Sequence, residues 1–302
     1  MQVTKPIFIV GTGRCGSTAF HRLLAGAHPQ LMWLSGFADK FPQRPSWNGR
    51  AVTAMGSPAL RRLFGTRVKA GENYGFWYTH AYGFGEPGRD LLRSDVTPRV
   101  KRQVRAVFER MLTPKRNRLL VKLTGWSRIG FLNEIFEDAK FIHIVRDGRA
   151  VASSLVHLNE WQWRGWYGPY SWRYGPLSEE DQKAWEANGR SFIALAGLQW
   201  RIHSRAIEAA RQALDPTRFL EVKYEPFCEH PLETCRRVLA FAELEQSAEF
   251  ERRVKASPIR DSDRWRKDLS AEQQAMLTDL LHDDLERYGY DVSHRAGGDS
   301  IR

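Results

Sequence analysis

The chain has 302 residues, with 46 lysines and arginines against 35 aspartates and glutamates, and so a formal charge of +11. Its composition, 42% hydrophobic and 27% charged, is that of a globular protein, and no apolar run approaches the ~20 residues of a membrane-spanning helix. The three cysteines (Cys15, Cys228 and Cys235) are too few for a disulfide framework and are not spaced as zinc ligands, which excludes a disulfide scaffold and a structural zinc protein.

Residues 6–10 form a short apolar run, the pattern of a strand buried on both faces. Four apolar residues, Ile7 to Val10, are too few for a signal-peptide core, and a reducing cytoplasm is the expected location. A glycine-rich turn from Gly11 to Gly16 follows, then a helical stretch at 17–27 stopped by His28 and Pro29. A second strand is expected at 31–34. Residues 36–98, rich in Gly, Pro and aromatics, read as an excursion of irregular chain and short helices. Val100, Val104, Val107, Phe108 and Met111 have helical spacing. Strands are then expected at 119–123, 141–145 and 219–222, and helices at 129–136, 149–157, 191–214, 231–242 and 271–288. Strands alternating with helices imply an α/β fold with a mostly parallel sheet covered on both faces. With neither repeat nor linker, one domain over 1–302 is expected, carrying insertions near 36–98 and 158–188.

Gly11, Gly16, Ser17 and Thr18 stand where a strand gives way to a helix. That layout offers backbone N–H groups and a helix N-terminus to an anion, with two hydroxyl donors in the first turn. A nucleotide-hydrolysing loop of this spacing has lysine at position 17; here Ser17 occupies it, and Arg14 is the cation inside the loop.

The run from Pro6 through Gly13, Arg14, Cys15, Gly16, Ser17 and Thr18 resembles the 5′-phosphosulfate loop of sulfotransferases that use 3′-phosphoadenylyl sulfate (PAPS). Those enzymes place a basic residue two before the last loop glycine and a Ser/Thr pair after it. His28 and Pro29 make the chain more similar to the bacterial, carbohydrate and tyrosyl branches than to the cytosolic aryl branch. A second motif agrees: strand 141–145, then Arg146, then Ser154 eight residues on. In the family this arginine and serine bind the 3′-phosphate, and a guanidinium fork suits a phosphate because it donates two parallel hydrogen bonds. The segment Asp263, Arg264, Trp265, Arg266 and Lys267 is similar to the basic-aromatic stretch that folds over the cofactor, and Tyr224 with Glu225 to the family's strand-end Tyr-Glu.

The resemblance implies a P-loop-like α/β/α domain. It also implies metal-independent, in-line transfer of a sulfuryl group from PAPS to a hydroxyl or amine, releasing adenosine 3′,5′-bisphosphate (PAP). Protein cations then stand where phosphoryl transfer uses magnesium. Arg14 is the first, and Lys122 is similar to the family's lysine on the transferring group. The general base is open. The family's glutamate after the second strand is replaced by Gly36 and Phe37, leaving Asp39, Glu72 and His80 as candidates, with Glu72 preferred. Trp161, Trp163, Trp166, Tyr167, Tyr170, Trp172 and Tyr174 offer flat rings to an acceptor, or simply pack the insertion. The acceptor is expected to be a small molecule, a glycan or a glycolipid.

Three rivals remain. A magnesium-dependent nucleotide kinase or NTPase would use Asp147 for the metal. A nucleic-acid-binding protein would account for the charge, but the basic residues are dispersed in short groups, so nucleic acid is not an expected partner. A degenerate family member would bind PAPS without turnover.

Overall fold

The computed structural model describes residues 1–81, 83–84, 88–158, 172, 174–257, 259 and 264–293. In chain order the elements begin β1 (Ile7–Gly11), α1 (Ser17–Ala27), β2 (Leu31–Met32), α2 (Gly36–Lys40), α3 (Pro45–Ala54), α4 (Pro58–Phe64) and α5 (Tyr74–His80). They continue with α6 (Pro98–Met111), β3 (Arg118–Thr124), α7 (Ile129–Ile135), β4 (Lys140–Val145), α8 (Gly148–Val156), α9 (Glu179–Ala187), α10 (Phe192–Gln212) and β5 (Phe219–Lys223). The last are α11 (Tyr224–Glu229), α12 (Pro231–Phe241), α13 (Ala248–Lys255), α14 (Trp265–Asp268), α15 (Ala271–Leu280) and α16 (His282–Arg287). Two compact units result, Met1–Val145 with Arg205–Asp261, and Arg146–Ser204 with Ser262–Arg302.

The first unit holds the sheet, ordered β2-β3-β1-β4-β5 with every neighbouring pair parallel. All five residues of β1 are buried, as a central strand covered on both faces requires. From β1 the chain goes to the edge at β2, returns to β3 beside β1, then crosses to the other side as β4 and β5. The carboxyl end of β1 is therefore the point where strand order reverses, the place where open parallel sheets bind ligands. The α/β fold with a parallel sheet is thus the one the alternating pattern predicts.

Helices α9, α11 and α13 were not expected from sequence, and β2 and the C-terminal helix differ from the sequence reading. β2 stops at Met32 because its continuation is taken by side chains and loops. Asn48 donates to the Trp33 carbonyl (2.8 Å) and accepts from the Ser35 amide (3.0 Å), while the Gly71 amide bonds Leu34 (3.1 Å). The described residues of the 36–98 excursion are, as expected, short helices (α2 to α5) joined by irregular chain, and α5 sends Phe76 and Trp77 into the core, where Trp77 stacks on Phe84 at 4.5 Å. The expected C-terminal helix is two, α15 and α16, divided at Leu281, and Arg201 takes the Leu280 carbonyl at 3.0 Å.

Candidate functional site

The loop between β1 and α1 is shaped by its glycines. A Cβ on Gly16, whose φ is +85°, would lie 2.0 Å from the Tyr224 ring, so Tyr224 backs the loop and only glycine fits there. Gly13 is the opposite case: a Cβ there would meet nothing within 4 Å, so the outer side of the loop is open. Arg14 is exposed and left-handed, with φ 66°, an unusual state for a residue with a side chain. No side chain caps α1, so its first turn keeps N–H groups for an incoming anion. Ser17 is buried and Thr18 exposed in that turn. Cys15 is wholly buried and burial raises its thiol pKa, so the thiol belongs to the core and the position offers an anion its backbone. Residues 11–18 hold no acid, and the set fits a phosphate-bearing group.

The register of β1 on β3 pairs Ile9 with Lys122 and Gly11 with Thr124, which brings the end of β3 beside the loop. Lys122, only 5% exposed, donates from Nζ to Thr18 Oγ1 at 2.8 Å and meets Glu72 Oε1 at 2.7 Å. Thr124 Oγ1 donates to the same Glu72 oxygen at 2.6 Å, so Glu72 Oε2 takes neither bond. Because Thr18 accepts from the ammonium, its own hydroxyl proton is left for another acceptor. Tyr74 Oη donates to the Thr124 carbonyl at 2.9 Å and tethers the segment that carries Glu72. Behind this group sits His21, buried; desolvation and then the Lys122 charge lower its pKa to about 3, so its imidazole is neutral at physiological pH.

The other base candidates are used elsewhere. Asp39 Oδ1 accepts from the Phe76 amide at 2.9 Å, holding the start of α5, and partial burial raises its pKa. His80 meets the Pro42 carbonyl at 2.8 Å and Gln103 of α6 at 3.3 Å. Of the three, Glu72 alone stands in direct contact with Lys122 in the described geometry. Thr124 and Tyr74 were not singled out from sequence; the strand register, which sets Thr124 opposite Gly11, is the signal that would have found the first.

In the second unit Arg146 directly follows β4 and Ser154 lies on α8, both partly exposed. The Arg146 carbonyl accepts from Trp200 Nε1 at 3.1 Å, which fixes the backbone from which the guanidinium extends. Asp147 caps α8 through the Arg149 amide (2.8 Å) and receives the Arg149 guanidinium at 2.8 Å in a buried pair. A carboxylate held this way is a helix cap and ion-pair partner, not the open ligand a magnesium site needs. Arg149 also donates to Thr278 Oγ1 at 3.1 Å and lies over the Trp265 ring at 4.8 Å, with Arg266 over that ring at 4.4 Å. Trp265 is thus a buried platform for two guanidinium groups, and Arg149 was missed by sequence reasoning. Arg149, Trp265, Arg266 and Gln274 line a cavity of about 440 Å³. Arg264 is exposed beside Asp268 at 3.8 Å, and Lys267 is exposed on α14.

Asp263 and five of the clustered aromatics (Trp161, Trp163, Trp166, Tyr167 and Tyr170) lie outside the described residues. Of the two that are described, Tyr174 packs edge-on against His203 at 4.4 Å and receives a hydrogen bond from Gln199 at 3.1 Å, and Trp172 donates to the Gly175 carbonyl at 2.7 Å. Both serve packing.

A sequence profile described as the sulfotransferase family matches residues 6–248. The chain belongs to that family. It is therefore a sulfotransferase, moving a sulfuryl group from PAPS to an acceptor and leaving PAP, as the loop motif implies. This sulfotransferase is 24% identical to the omega-hydroxy-beta-dihydromenaquinone-9 sulfotransferase Stf3 of Mycobacterium bovis, over 95% of this chain and 75% of that protein. Among solved structures it is similar in fold to the sulfotransferase STF9 of Mycobacterium avium. That match has TM-score 0.55 and 18% identity, over 96% of this chain and 78% of the other. It is also similar to the sulfotransferase domain of the curacin biosynthetic pathway, with TM-score 0.51 and 13% identity, over 97% of this chain and 100% of that domain. These likenesses agree with the bacterial branch indicated by His28 and Pro29. No helix of the described residues is long and apolar enough to cross a membrane. Among the described residues no His, Cys, Asp or Glu side chains gather in threes as a metal ion requires.

Proposed function

We propose that this sulfotransferase holds the 5′-phosphosulfate of PAPS on Gly13 to Thr18, and the 3′-phosphate with Arg146 and Ser154. Lys122 and Arg14 then serve as the cations at the reacting end, and Glu72 as the general base. The observation that carries this reading is the position of Lys122, bonded at once to a loop hydroxyl, Thr18, and to a carboxylate, Glu72. When bound, PAPS supplies an activated sulfuryl group and a phosphate whose negative charge grows as it leaves. Lys122 and Arg14 stabilise that charge where it develops, and the loop N–H groups orient it without rearrangement. Glu72 Oε2 takes the acceptor proton, while Lys122 and Thr124 fix Oε1 and hold the carboxylate's orientation. Trp265 with Arg264, Arg266 and Lys267 makes the basic-aromatic cover over the nucleotide. The family match, residues 6–248, takes in most of the first compact unit and the 146–204 segment of the second, which supports reading the chain as one sulfotransferase domain.

The acceptor is a small molecule with a hydroxyl. The mycobacterial relative is named for a hydroxylated menaquinone derivative, which favours an apolar alcohol over a glycan. A reducing cytoplasm suits the buried thiols Cys15 and Cys235.

The base assignment is tested by two conservative changes. Glu72→Gln keeps an oxygen for Lys122 and Thr124 but removes the base. It should lower kcat by roughly 10²–10⁴-fold with PAP affinity unchanged. Asp39→Asn keeps the bond to Phe76 and should leave kcat near the parent value. Loss of turnover in Asp39→Asn with retention in Glu72→Gln would assign the proton transfer to Asp39 instead.

A further inference from the structure

Helix α4 does not behave as part of a folded core. None of its seven residues is buried, although its sequence is mainly apolar. Leu60, Leu63 and Phe64 fall at i, i+3 and i+4, which sets them along one helix face. They are 38%, 69% and 41% exposed, three of the eight large exposed hydrophobics among the described residues. A monomer rarely leaves such a face to water unless something covers it.

The charge around this face is one-sided. Residues 40–71 contain seven lysines and arginines and no aspartate or glutamate, against a surplus of +11 for the whole chain. Arg62, Arg67 and Lys69 are exposed. The carboxylate that faces Arg61 is Glu249 of α13, and it is already paired with Arg253. A cavity of about 190 Å³ opens at Arg61 and Gly65, floored by Trp33, Met55 and Val68 and lined by further cations, with no acid in its wall. Apolar floor and cationic rim are what an anionic amphiphile matches.

We propose that α4 and the acid-free chain around it dock the protein on an anionic phospholipid surface. Leu60, Leu63 and Phe64 enter the interface between headgroups and acyl chains, and the flanking cations meet the phosphates. Nucleic acid would satisfy the charge but would leave the leucines and phenylalanine in water, so the bilayer is the better match. This inference does not rest on the roles given to Lys122 or Glu72, and its readout is not activity.

The test is co-sedimentation of the full chain with vesicles of phosphatidylcholine alone, and of phosphatidylcholine mixed with phosphatidylglycerol, beside a fluorescent DNA duplex. The parent should bind the mixed vesicles, weaken as salt rises, and ignore the neutral ones. The double variant Leu63→Glu/Phe64→Glu should lose at least about ten-fold in apparent affinity, since two anchors are exchanged for charges that the surface repels. Arg61→Gln and Arg62→Gln should each cost about five-fold, the usual worth of one cation at such a surface. Leu92→Glu, an exposed leucine outside the patch, should bind as the parent does. Because no residue of α4 is buried, the variants should keep the parent's circular dichroism. Failure of the parent to bind mixed vesicles, equal binding to neutral ones, undiminished binding by the α4 variants, or capture by DNA alone would each overturn the proposal.

Discussion

Lys122→Met is expected to lower kcat by about 10²–10³-fold, or about 3–4 kcal/mol, the usual loss when one preorganised donor is removed from a developing negative charge. Methionine keeps most of the volume in this buried position, so packing on β3 should survive and the loss should appear in turnover. The change also releases Thr18 and strips Glu72 of its ion pair. A purely structural lysine would behave differently: stability would fall and kcat of the remaining folded enzyme would not. Single-turnover kinetics beside thermal unfolding separate the two outcomes. Rescue of part of the rate by Lys122→Arg would fit a charge requirement, with geometry setting how much returns.

Arg149→Leu is expected to destabilise the fold by roughly 3–5 kcal/mol, because it leaves the Asp147 carboxylate buried without its partner. The guanidinium also holds Thr278 and covers Trp265, so the variant removes one side of the platform beneath the basic-aromatic segment. Urea denaturation measures the loss. The double variant Asp147→Asn/Arg149→Leu should recover part of it, since the uncompensated charge is then gone. If the single variant unfolds at the parent's urea concentration, the pair contributes nothing and the account of this corner is wrong.

The parts of the site legible in the sequence are those built from contiguous residues. The loop from Gly13 to Thr18 needs only a strand, a turn and a helix in succession, and Arg146 and Ser154 are set by a strand end and two turns of α8. Lys122 is matched by resemblance to the family's lysine on the transferring group, but its bond to Thr18 could not be read from sequence, because Thr18 lies 104 residues away. For the same reason sequence could prefer Glu72 to Asp39 only by its place before an aromatic stretch, without the contacts of either acid. Asp39 and Glu72 look alike locally, and only the long-range bonds, to the Phe76 amide for one and to Lys122 for the other, tell them apart. The Arg149 stack on Trp265 joins residues over a hundred apart with no periodicity to announce it. The shortened β2 likewise follows from Asn48, a single polar side chain that takes the backbone groups a longer strand would have paired.

The account turns on the proposal that the Gly13–Thr18 loop binds a phosphate-bearing donor without the P-loop lysine and without magnesium. Calorimetric titration of the purified protein with PAP, beside ATP with and without magnesium, tests that most directly. The geometry predicts tight PAP binding that is indifferent to metal, weak ATP binding, and an Arg146→Ala variant weakened by roughly 1.5–3 kcal/mol toward PAP. ATP binding that requires magnesium, with no heat from PAP, would contradict the sulfotransferase site described here.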